Sequence, residues 1–242
     1  MILKISQKMY KHLPIFLFLN LYVSISAQSV SGMTGLISIP TAEISSDADV
    51  TFGVTYMPKE MTEYSHHVRD IISPHVTLGF LPFLEIGASL VRQLDYHGDS
   101  HNVDRILSLK LQVIKEDKYL PAFALGIHSV PSDTRDATHF QALYGVLTKN
   151  FHQTIIFDNI SLTLGYGSDA IKAADHEFVG IFGGASFDFS LLTSNFSLLL
   201  ENDAIRWNGG VRITLFNHIR LLAGLMEFRH FTGGVSVGWS LL

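Results

Sequence analysis

The sequence has no cysteine, only seven prolines in 242 residues, and charged side chains at 16% of the chain. Without cysteine there is no disulfide framework, no thiolate metal site, no thiol nucleophile and no lipid anchor on an N-terminal cysteine. Soluble globular chains carry roughly 25% charged residues, so a water-facing surface would be thinly covered here. Cations are scarce too, with 17 Lys and Arg against 22 Asp and Glu and a formal net charge of −5. That balance leaves no cationic face for a phosphate backbone and argues against nucleic acid as a partner. What the chain has in quantity is apolar surface and glycine: 47% hydrophobic residues, 17 Phe, 8 Tyr and 19 Gly.

Residues 1–27 read as a cleaved signal peptide. Lys4, Lys8 and Lys11 precede the apolar stretch Leu13 to Val23, and Ser24-Ile25-Ser26-Ala27 suits a peptidase cut before Gln28. The apolar stretch, interrupted by Pro14 and Asn20, is short of the ~20 residues that span a bilayer, which argues against an anchoring helix. Processing would leave 14 basic and 22 acidic residues, a net charge of −8. Beyond residue 27 no window holds 18 uncharged apolar residues, so no later helix is expected to cross a membrane.

Alternation with period two points to a different way of spanning. Leu107, Leu109, Leu111 and Val113 are apolar, with Ser108, Lys110 and Gln112 between them; Ile160, Leu162, Leu164 and Tyr166 alternate with Ser161, Thr163 and Gly165. Val235, Val237, Trp239 and Leu241 likewise face away from Ser236, Gly238 and Ser240. Small and polar residues on one face, aliphatic and aromatic ones on the other, describe a sheet wet inside and greasy outside. A soluble sandwich or lipocalin-like barrel also alternates. Against it stand the leader, the low charge, and glycines such as Gly53, Gly87, Gly126, Gly165, Gly184, Gly210 and Gly224 on the small face, where they fill no hydrophobic core.

The pattern predicts an all-β fold, an antiparallel transmembrane β-barrel of about twelve strands over residues 48–242. Strands are expected near 48–57, 72–80, 83–92, 104–115, 119–129, 137–149, 158–166, 178–190, 194–203, 205–215, 218–227 and 231–241. Tight links at Leu81-Pro82, Glu116-Asp117-Lys118, Leu192-Thr193 and Asn217 alternate with long polar ones at 58–71, 93–103, 130–136 and 167–177. Outer-membrane barrels have short periplasmic turns and longer external loops, and an even strand number puts both termini in the periplasm. The link 150–157 is longer than this scheme wants, and those near 203 and 229 are shorter. Residues 28–47, with Leu36, Ile37 and Ile39 before Pro40, are expected to form a plug-like segment in the lumen or at its mouth, the other reading being a frayed tether.

Gly32-Met33-Thr34-Gly35-Leu36-Ile37-Ser38-Ile39-Pro40-Thr41-Ala42 resembles the opening GxxGLxxxPTA of the YjbH family, which is linked to exopolysaccharide production in Gram-negative bacteria. Further segments resemble the family in the same order. They are Pro82 to Gly87, Asp104 to Gly126 (DRILSLKLQVIKEDKYLPAFALG), Phe178 to Gly184 and Asn208 to Arg212. The resemblance implies an outer-membrane protein of a capsule or exopolysaccharide system with no assigned enzymatic activity, so it supplies no catalytic residue.

Twelve histidines raise the question of a metal or catalytic site, but His66-His67 and His97 with His101 lie in long loops with no HExxH and nothing to order them. His128 and His139 flank one loop and could meet across it. Nucleophile elbows of the GxSxG type are missing, and Ser108, Ser161 and Ser236 point inward with no His two positions away. No catalytic residue, metal or cofactor is therefore expected.

The telling charges are Glu85, Lys110, Asp188, Glu201, Asp203, Arg206, Arg212 and Arg220, which fall on or beside the small face. Ions are costly in hydrocarbon, so these belong in the lumen, where they are expected to pair with one another, Glu201 and Arg212 on successive strands included. They either fill the barrel as a salt-bridge network or line a polar track for a sugar chain. The expected function is support of export or surface assembly of an extracellular polysaccharide. Its partners would be outer-membrane lipid, a polysaccharide chain and polysaccharide-export proteins. The rival readings are a diffusion channel and, less favoured, a barrel enzyme.

Overall fold

Period-two alternation becomes twelve strands closed on themselves. The computed structural model describes residues 27–62, 69–94, 103–130, 141–152, 154, 156–168, 170 and 178–242. In chain order the strands are β1 (Asp49–Met57), β2 (Ile71–Gly79), β3 (Leu84–Gln93), β4 (Val103–Ile114), β5 (Ala122–His128) and β6 (Ala142–His152), then β7 (Asn159–Ser168), β8 (Gly180–Leu191), β9 (Ser194–Asn202), β10 (Trp207–Leu215), β11 (Ile219–Met226) and β12 (His230–Ser240). Each pairs antiparallel with the next, and β12 returns to β1 with Gly53 opposite Ser236, so the sheet has no edge.

Strand ends move where pairing outlasts the alternation. β6 runs past the expected end at 149 to His152, because Phe151 pairs with Ile160 and His152 with Asn159, and its expected start at 137 lies outside the described residues. The link that looked too long at 150–157 thereby becomes 153–158 and joins the short turns at one end of the barrel. β5 starts at Ala122 and β10 at Trp207, each later than the sequence suggested. Phe178 stays outside β8, with φ at 35°, and turns its ring into the barrel. Residues 1–26 of the leader, the loop histidines His66, His67, His97 and His101, and His139 lie outside the described residues.

The outer face is apolar. Leu107, Leu125, Leu162, Leu164, Leu198, Leu200, Leu221 and Val235 are exposed along its middle. Aromatics gather at the two ends: Phe83, Tyr119, Phe216 and Trp239 by the short turns, and Tyr166, Trp207, Phe228 and Phe231 by the long connections. An apolar band between aromatic girdles is the surface a bilayer-spanning barrel presents to lipid.

The lumen has three levels. Toward the long connections Met57, Ile71, Val91, Ile106, Tyr144, Phe182 and Met226 converge, and Phe178 packs edge-on to Tyr144 at 5.5 Å and to Phe182 at 5.4 Å. Residues 28–42 occupy the middle, with Ile37, Ile39 and Ala42 fully buried. Toward the turns the lumen opens into a polar vestibule of about 820 Å³. The small face thus holds glycines because other groups take their space. A Cβ at Gly184 would stand 2.6 Å from Leu36 Cδ1, and one at Gly224 2.9 Å from Ile37 Cγ2. Gly87 leaves room for Met33, Gly126 for the Tyr144 ring and Gly165 for the Phe182 ring.

The parity of β4 yields a direct test. Leu109 faces outward, whereas Gln112 faces inward and donates to the Ala42 carbonyl at 2.9 Å. In a bilayer Leu109→Arg is expected to cost roughly 2–4 kcal/mol of unfolding free energy, and Gln112→Arg no more than the lost hydrogen bond, about 1 kcal/mol. Urea unfolding in lipid vesicles measures both; equal losses would contradict the assignment of faces.

Candidate functional site

The plug is a short chain folded back on itself. Val30 N–H donates to the Ile37 carbonyl at 2.8 Å, Leu36 N–H to that of Ile39 at 2.9 Å, and Ser29 N–H to that of Met33 at 2.9 Å. Gly32 takes φ at +85°, a conformation that L side chains rarely adopt, and its missing side chain leaves room for the His75 ring. So tight a fold leaves many main-chain groups without partners inside the plug, and buried polar groups must find them elsewhere.

The barrel wall supplies them. Glu201 on β9 accepts from the N–H groups of Ile37 at 2.8 Å and Ser38 at 2.9 Å, and from Ser38 Oγ at 2.5 Å. Across the same turn, Arg212 Nη2 on β10 donates to the carbonyls of Leu36 at 2.6 Å, Gly35 at 2.7 Å and Gln28 at 3.3 Å. Glu85 on β3 accepts from Thr34 N–H at 2.8 Å, Thr34 Oγ1 at 2.5 Å and Ser45 N–H at 2.6 Å. Lys110 on β4 donates to the Thr34 carbonyl at 2.8 Å and pairs with Glu85 at 3.4 Å. Hydroxyls complete the seat: Thr55 donates to Val30 O at 2.8 Å and Thr77 to Gly32 O at 2.6 Å, while Thr148 Oγ1 accepts from Ala42 N–H at 2.8 Å.

This arrangement corrects the expectation that the inward charges pair with one another. Of the eight, only Glu85 and Lys110 form an ion pair with each other among the described residues. Glu201 stands opposite Asn208, and Arg212 opposite Ser197, so the two are not cross-strand partners. Glu201 and Arg212, like Glu85 and Lys110, are met instead by main-chain dipoles of the plug. Nor do the eight form one track. Asp203 caps the β9–β10 turn, accepting from Arg206 N–H at 2.7 Å, and Arg206 reaches Glu227 at 3.5 Å, both at the far end from the vestibule. Asp188 and Arg220 line the vestibule.

Sequence reasoning missed Thr55, Thr77, Thr148 and Asn208, which carry no pattern beyond inward parity. It also missed a contact at the closed end: Ser108 Oγ lies 3.0 Å from His128 Nδ1, both buried. The two are far apart in sequence, and the β4–β5 pairing brings them together. Phe178 covers His128, with ring centres 6.3 Å apart.

In the vestibule, Asn150 Nδ2 donates to Glu116 at 2.7 Å and to Glu43 at 2.9 Å, and Asn159 Nδ2 to Asn150 Oδ1 and Asp188, each at 3.0 Å. Ser161, Ser186, Ser197, Thr214, Asn195 and Asn217 extend this polar lining. Such a surface offers donors and acceptors in plenty.

A closed barrel with a lipid-like outer band, its lumen filled by its own N-terminal segment, is a plugged β-barrel of membrane type. Residues 27–191, more than half the chain, match the family described as exopolysaccharide biosynthesis protein YbjH, and the chain belongs to this YjbH family. The match begins at the plug and ends with β8, so Asn208 to Arg212 lies outside it. No curated protein matches the chain.

Because the Lys110–Glu85 pair is fully buried, Glu85→Gln is expected to strand the ammonium and cost roughly 3–5 kcal/mol. Glu85→Gln combined with Lys110→Met removes both charges and is expected to recover part of that loss. Unfolding midpoints on detergent gels and in urea measure both. A single-variant cost below about 1 kcal/mol, as for an exposed pair, would contradict the role of this pair in the seat.

Proposed function

We propose that this protein is an outer-membrane barrel that supports export or surface assembly of an extracellular polysaccharide and carries out no reaction of its own. The observation that carries the reading is the vestibule. It is a cavity of about 820 Å³ open at the short-turn end, where β1 begins and β12 ends, and its lining brings amides, hydroxyls and carboxylates together with Lys115, Arg212, Arg220 and some apolar side chains. Paired carboxylates and amides meet the hydroxyls of sugars with directional hydrogen bonds, and family membership supplies the exopolysaccharide context. In this reading the short turns, the start of β1 and the end of β12 face the periplasm, and the long connections face outward.

The seated plug favours this role over free diffusion, because the middle of the lumen is packed with side chains. The purified barrel in a planar bilayer is expected to show no steady conductance; a steadily open pore would favour the diffusion channel instead. In cells, loss of the protein is expected to lower surface polysaccharide, with recovery when the wild-type chain is restored. Polysaccharide unchanged on deletion would overturn the proposal.

A further inference from the structure

Two arginines at the head of the vestibule form no ion pair among the described residues. Arg212 and Arg220 project inward from β10 and β11, and the register, with Thr214 opposite Arg220 and Leu222 opposite Arg212, makes them diagonal neighbours. Side chains so placed on paired strands start about 7–8 Å apart. Both residues are 4% exposed, and both line the vestibule. Arg212 spends Nη2 on plug carbonyls, and Arg220 Nη1 makes one long contact to Thr51 Oγ1 at 3.4 Å. In each residue Nε is buried without a hydrogen-bond partner among the described residues.

Among the described residues no carboxylate lies within 4.0 Å of either guanidinium. The charges of Asp188, Glu43 and Glu201 reach Arg212 and those of Asp49 and Glu85 reach Arg220, all from beyond that distance, and Glu201 and Glu85 spend their oxygens on N–H groups of the plug. Glu43 and Asp188 are engaged elsewhere, with Asn150 and with Asn159 and Ser186. Two like charges are thus held side by side, out of bulk water, with donors to spare. Such an arrangement is costly unless a counter-charge arrives from solution. Guanidinium forks match the two oxygens of a carboxylate or phosphate, and Ser197, Thr214 and Ser236 stand opposite the two arginines on the paired strands as further donors. Gly238 keeps the space beside Arg220 clear, since a Cβ there would come within 2.7 Å of Nη2.

We propose that Arg212 and Arg220 form an oxyanion site at the head of the vestibule that takes the carboxylate or phosphate group of an acidic saccharide. The saccharide part of this assignment rests on the proposed function; the oxyanion part rests on the arginines alone.

The test is isothermal titration of the full folded barrel in detergent with trigalacturonate, neutral maltotriose and inorganic phosphate, repeated on Arg220→Gln and Arg220→Lys. Arg220 is chosen because among the described residues its side-chain hydrogen bond runs to Thr51 on the wall and not to the plug, and the gel shift between boiled and unboiled samples verifies folding of each variant. Trigalacturonate is expected to bind the wild type more tightly than maltotriose. Its affinity is expected to fall about tenfold or more in Arg220→Gln, and less in Arg220→Lys. Phosphate that binds in an Arg220-dependent way when trigalacturonate does not would keep the oxyanion site and assign it to the free anion. Anionic probes that fail to bind, or that bind equally well in Arg220→Gln, would overturn the proposal. Such a failure beside a normal deletion phenotype would leave the proposed function intact, whereas a deletion without phenotype beside Arg220-dependent binding would remove the function and leave the site.

Discussion

Everything in the lumen depends on how Glu201 is satisfied. A carboxylate with no exposed surface in the middle of a barrel is expensive unless several donors reach it, and no cation lies within 4.0 Å of it among the described residues. The donors come from a turn of the N-terminal segment, whose N–H groups point at Glu201 while its carbonyls point at Arg212 on the next strand. The dependence runs both ways. Remove the plug, and the wall holds stranded charges; remove the charges, and the plug holds stranded main-chain groups. Glu85 and Lys110 repeat the arrangement on the other side at Thr34.

This mutual dependence explains why particular residues stand where they do in the segment Gly32 to Ala42. Gly32 makes the left-handed turn, Thr34 and Ser38 add hydroxyls to the two carboxylates, and Leu36 and Ile37 drop into recesses at Gly184 and Gly224. Ala42 ends the seat between Gln112 and Thr148. The glycines of the wall and the aliphatics of the plug are thus two halves of one packing surface.

Much of the barrel was legible in the sequence, because a strand's two faces are written locally, two residues at a time. Inward and outward parity along β4, β7 and β12 follows directly from alternation, whereas β11, with Leu221 beside Leu222 and Leu225 beside Met226, takes its parity from the pairing. What the charges do was not legible. Glu201 and Ser38 are 163 positions apart, and nothing in the periodicity of either segment names the other as its partner. Parity told that Glu201 and Arg212 face inward; it could not tell that a folded segment would stand between them. The same holds for Ser108 and His128, joined only by the register of two strands.

Among the described residues the lumen has three levels, a cluster with aromatic rings, a gripped plug and an open polar vestibule that presents a polar surface at one end of the barrel. Its central claim is that the plug is seated as firmly as the wall. Hydrogen exchange of the folded barrel in detergent micelles, read by mass spectrometry over residues 34–42, tests this most directly. The account predicts that the Ile37 and Ser38 amides exchange as slowly as those of the neighbouring strands, and that Glu201→Ala speeds them while leaving β4 and β7 protected. Exchange of these amides in the wild type at the rate of an unstructured chain would contradict it.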